Sequence, residues 1–114
     1  MKTSLILGIG AVIIALVIGA YYFQSPFKGV IPENTVVISN FAFSPATITV
    51  KVGTTVTWIN KDTTSHTVTS DSDTELDSTT LNLGQEYKHE FSKAGIYNYH
   101  CDIHRSMKAK VIVE

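Results

Sequence analysis

The stretch TITVKVGTTVTWIN, Thr47 to Asn60, decides the fold class. In its first half Ile48, Val50 and Val52 alternate with Thr47, Thr49 and Lys51, the period-2 pattern of a strand with one buried and one wet face. Val56 and Trp58 continue the apolar series beyond Gly53, which stands where a hairpin turn would need it. Strands are therefore expected at Thr47 to Val52 and Thr54 to Asn60. Working outward, the same signals recur at Thr35 to Ser39, His66 to Ser70, Glu86 to Phe91, Ile96 to Cys101 and Lys108 to Val113, with Gly84 and Gly95 as punctuation. Many short strands and no amphipathic helix among them predict an all-β sandwich or barrel.

The N-terminal end reads differently. Leu5 to Phe23 contains no charged residue, and as a helix it would extend roughly 28 Å, close to the hydrocarbon thickness of a bilayer. Ile18 before Gly19-Ala20 makes a poor small-x-small cleavage site, so residues 1–23 are expected to be one uncleaved N-terminal transmembrane helix rather than a signal peptide. Lys2 would stay cytoplasmic and Tyr21 and Tyr22 would mark the far interface, which sets the rest of the chain on the extracytoplasmic face, periplasmic or extracellular. Residues 24–32, with Pro26, Gly29 and Pro32, read as a linker, and 33–114 as a single folded domain. Across 114 residues, 9 Lys and Arg against 10 Asp and Glu give a net charge of −1, which offers no basic patch for nucleic acid. A monomer is expected.

The chemistry lies near the end of the chain. Cys101, His104 and Met107 stand at i, i+3 and i+6, and a helix would turn Met107 about 120° away from Cys101, so a loop must gather them. With His66 upstream they form a set of one thiolate, two imidazoles and one thioether. Such a set suits copper in both oxidation states, as in a trigonal Cys-His-His site with a weak axial Met. Structural zinc prefers several cysteines and rarely a thioether. The chain has 1 Cys, so no intramolecular disulfide and no dinuclear thiolate-bridged centre can form. A haem-attachment Cys-x-x-Cys-His is absent, and nothing suggests the substrate cleft that a cysteine nucleophile would need. No enzymatic activity is expected.

The run AGIYNYHCDIHRSMKAKVIVE, Ala94 to Glu114, resembles the C-terminal ligand loop of amicyanin, within the plastocyanin-like cupredoxins. FAFSPATITVKVGTTVTWIN, followed by Ser65-His66-Thr67, is similar to the same family's N-terminal half. The resemblance spans about Thr35 to Glu114 and rests on the distant His, the Cys-x2-His-x2-Met spacing and the approach strand Gly95, Tyr97, Tyr99, Cys101. It implies a Greek-key β-sandwich holding one type 1 copper, blue when oxidised, that passes electrons between a donor and an acceptor redox protein. By the same resemblance His104 lies nearest the surface and offers its exposed edge to the electron. Family loops commonly carry proline beside the second His, where this chain has Arg105-Ser106.

Alternation refines the site. Tyr97, Tyr99 and Cys101 share one face of their strand, so the sulfur points inward and His100 away from the metal, as a solvated residue. His89 is expected to be a packed or edge histidine, and the Thr67 backbone N–H to donate to the Cys101 sulfur. Asp71, Asp73, Glu75 and Asp77 form an acidic stretch, read as a solvated loop with partner docking as the alternative. The whole suggests a membrane-tethered electron carrier cycling Cu(I) and Cu(II); a copper scavenging or delivery module would use the same ligands.

Overall fold

The computed structural model describes residues 32–114; the expected transmembrane helix and nearly all of the linker lie outside them. The strands are β1 (Thr35–Ser39), β2 (Ala42–Ser44), β3 (Thr47–Val50), β4 (Thr55–Asn60), β5 (Thr69–Ser70), β6 (Glu86–Glu90), β7 (Gly95–His100) and β8 (Lys108–Val113). They form two four-stranded sheets, ordered β2-β1-β4-β6 and β3-β8-β7-β5. Pairing is antiparallel except for β1 with β4 and β3 with β8. Only β1–β2 and β7–β8 are consecutive strands within one sheet; every other connection crosses to the opposite sheet. The all-β sandwich is as expected.

Its core draws on both inner faces: Val36, Ile38, Val56 and Trp58 from one sheet, Val50, Tyr99, Val111 and Val113 from the other, all buried. Trp58 stands edge to face against Tyr99 with ring centroids 5.7 Å apart, and Phe43 meets Tyr99 at 4.8 Å. Cys101, itself fully buried, belongs to the same cluster. Burial pushes the Tyr99 hydroxyl well above the usual tyrosine range, and the neighbouring Trp58 side chain opposes this only in part.

Three expectations need correction. Gly53, at φ 90°, is not a hairpin turn, because β3 and β4 belong to different sheets. It redirects the chain across the sandwich, its N–H donating to the Phe91 carbonyl at 2.7 Å, and Val52 beside it is 49% exposed rather than in the core. The strand expected from His66 shrinks to Thr69–Ser70, since His66 itself pairs as an isolated bridge with Leu81. β2 has no counterpart in the sequence reading: it is a short edge segment joined to β1 by the two-residue turn Asn40-Phe41, without the glycine that usually signals such turns.

Candidate metal centre

Cys101 follows β7 directly, and alternation along that strand settles its direction: Tyr99 and Cys101 are fully buried while His100 lies on the other face. The chain then turns in a tight loop. Cys101 N–H donates to the Met107 carbonyl at 3.1 Å and Met107 N–H to the His104 carbonyl at 2.9 Å, so the backbone closes before β8 begins. Met107 is buried in the core cluster and His104 is partly exposed. His66 comes from the opposite side of the chain, pinned by reciprocal backbone bonds with Leu81 at 3.1 and 2.8 Å. The structure thus brings His66, Cys101 and His104 together, their donor atoms all within 4.8 Å of one another.

The donor spacing suits one ion. His66 Nδ1 lies 3.7 Å and His104 Nδ1 3.9 Å from Cys101 Sγ. With metal–sulfur and metal–nitrogen lengths of about 2.3 and 2.0 Å, donors 120° apart on one metal would be separated by about 3.7 Å. Both sulfur–nitrogen separations are therefore already close to what one ion would need. Both imidazoles turn Nδ1 inward, and for His66 the cause is visible: its Nε2 donates to Asp62 Oδ2 at 2.8 Å, which fixes the tautomer that leaves Nδ1 a free lone pair. The Phe41 N–H, foremost, holds the Asp62 carboxyl below its usual range; desolvation opposes this, and His66 and the Asn40 N–H add to it.

Around the sulfur the support is polar and specific. Thr67 N–H donates to Cys101 Sγ at 3.3 Å, the bond expected from the sequence, and such bonds stabilise a thiolate and tune the metal it binds. Thr67 Oγ1 accepts the Asp102 N–H at 2.8 Å and joins Thr69 Oγ1 at 2.9 Å, which in turn donates to Asp102 Oδ2 at 3.3 Å. His100 faces away from the site but is not simply solvated: its ring nitrogens meet Asp71 Oδ1 at 2.6 Å and Asp102 Oδ1 at 2.9 Å, leaving 15% of the side chain exposed. His89 sits at an edge, bonded to Glu75 at 2.7 Å and packed edge to face on Phe91. The acidic stretch 71–77 is a loop, exposed except at Glu75 and Leu76.

Two residues at the site escaped the sequence reading. Asp62 stands four positions before His66, and a carboxylate close to a candidate ligand is a signal worth following. Phe41 packs against both imidazoles, with ring centroids 5.4 Å from His66 and 5.0 Å from His104. Nothing in its sequence neighbourhood announces that contact.

Comparison with known proteins places this geometry. The family model for the cupredoxin-like domain matches residues 12–113. Amicyanin of Paracoccus denitrificans is 34% identical over 98 residues, covering 80% of this chain and 75% of that protein. Among solved structures, a purple cupredoxin from Nitrosopumilus maritimus superposes with a TM-score of 0.66 at 29% identity, covering 70% of this chain and 98% of that one. A reduced-state amicyanin variant gives 0.65 at 37% identity, covering 70% of this chain and 80% of that one.

Proposed function

The chain belongs to the cupredoxin-like family as a blue copper protein with one type 1 copper as its cofactor, and we propose that His66, Cys101, His104 and Met107 are the ligands. The single observation that carries this assignment is the inward aim of the His66 and His104 Nδ1 atoms at 3.7 and 3.9 Å from the Cys101 sulfur, and Met107 joins them by its Cys-x2-His-x2-Met spacing and its burial at the end of the same loop. When bound, copper supplies a one-electron couple between Cu(I) and Cu(II). The chain supplies a fixed cage. His66 is locked by Asp62, Cys101 by Thr67, and the loop by its own backbone bonds, so the donors stay in place as the charge they surround changes. The protein transfers electrons; His104, the partly exposed ligand, is the route by which one enters or leaves. The domain is assigned no enzymatic activity.

We further propose that it works at the extracytoplasmic face of a cell membrane, held there by residues 1–23, and that it meets separate donor and acceptor redox proteins. The uncharged run Leu5 to Phe23 supports the tether.

The test of the ligand set is spectroscopic. Cu(II)-loaded protein is expected to be intensely coloured through thiolate-to-copper charge transfer, with the spin-resonance signature of a type 1 site, and Cys101→Ser should abolish both. A colourless copper adduct, or colour surviving that substitution, would overturn the assignment.

A further inference from the structure

The turn between β1 and β2 holds two consecutive non-glycine residues in the left-handed region, Asn40 at φ 51° and Phe41 at φ 56°. Asparagine tolerates that region, but a bulky residue there is an outlier, and outliers of this kind persist only where the surroundings over-determine them. One carboxylate does so here. Asp62 accepts the Asn40 N–H at 2.8 Å through Oδ1 and the Phe41 N–H at 3.0 Å through Oδ2, the same oxygen that takes His66 Nε2. The product of this strain is the position of one ring. Phe41 stands edge to face against His66 and His104, at interplanar angles of 89° and 85°, while 52% of it remains in solvent.

A large apolar side chain half in water, on a backbone conformation that resists it, is unfavourable twice over. The compensation is contact with two imidazoles, and one of them needs it. His66 is anchored at its outer nitrogen by Asp62, whereas among the described residues no carboxylate does this for His104, which sits in a loop lacking proline beside an Ile103 that is 50% exposed. We propose that Phe41 is a positioning residue for the histidines: Asp62 holds its ring over the solvent side of the centre, and the ring keeps His104 turned with Nδ1 toward Cys101. This rests on the ligand set proposed above and adds to it the group that maintains it.

Glycine separates the ring from the turn. Phe41→Gly relieves the left-handed strain while deleting the side chain, so a purely local role in the turn predicts equal or higher stability and an unmoved site. The full-length protein, labelled with 15N-histidine, would be compared with Phe41→Gly and Phe41→Tyr in two states. In the copper-free state the expected result is a thermal midpoint that does not fall in Phe41→Gly but His104 ring resonances that shift and broaden, with Phe41→Tyr close to the parent. In the Cu(I) state, loss of copper to the chelator bicinchoninate should accelerate on the order of tenfold in Phe41→Gly and by less than about twofold in Phe41→Tyr. His104 resonances and a copper-loss rate unchanged in Phe41→Gly would overturn the proposal. Should that variant not fold, Phe41→Leu is read in the same way. The copper-free resonances decide the role of Phe41 even if His104 proves not to be a ligand, an outcome that the colour of the parent protein reports separately.

Discussion

Thr67 serves the centre with two groups at once, its backbone N–H on the sulfur and its hydroxyl oxygen on the Asp102 N–H. Thr67→Val keeps the shape and the first bond but strands the Asp102 N–H, which should destabilise the copper-free domain by about 1–3 kcal/mol, while Thr67→Ser recovers most of the loss. Urea denaturation of the three proteins checks this. The grouping of His66, Cys101 and His104 could be read from the sequence because thiolate and imidazole are scarce residue types whose spacing survives as a pattern, and the proposed thioether, Met107, was visible by the same spacing. Asp62 and Phe41 were not, because what makes them matter is a shared turn and a shared contact across the fold rather than their own chemistry. His100 shows the intermediate case: period-2 alternation placed it on the correct side of β7, but could not foresee that Asp71 and Asp102 would enclose it.

Strands were easier to find than the sheets they join. A buried-and-wet alternation reports which face of a segment meets the core and says nothing about its neighbours, so the run through Gly53 looked like a hairpin when it is a passage between sheets. β2 escaped because a three-residue edge segment is too short for any period to register. The acidic loop after β5 has its own local order: Asp73 Oδ1 accepts the Glu75 N–H at 2.9 Å, and that bond, followed by one from Ser70, holds the Asp73 carboxyl below its usual range. A depressed folded value means that the bond contributes above the ordinary carboxylate range and is lost as pH falls through the lowered value. The part of the Glu75 amide shift that Asp73→Asn removes should therefore lie at lower pH than the ordinary Asp titration. An amide profile identical in the parent and Asp73→Asn would show the turn to be unformed.

For the molecule as a whole, the tether proposal predicts that full-length protein stays with membranes through alkaline carbonate washing and retains Met1 or Lys2 by mass spectrometry. A soluble chain beginning near Tyr21 would show Leu5 to Phe23 to be a signal peptide instead. One property of the sandwich reaches further. β8 lies between β3 and β7 and pairs in parallel with β3, so β3 joins the second sheet only when β8, the last of the described strands, is in place. The parallel pairing of β1 with β4 is likewise non-local, and topologies dominated by such contacts fold in roughly milliseconds to seconds. Until then the Cys101 thiol, fully buried in the finished domain, is open to oxidants, and a sulfinic or sulfonic acid formed there could not be reversed. The survival of the metal-binding sulfur is thus a race between strand assembly and oxidation, run before any copper arrives.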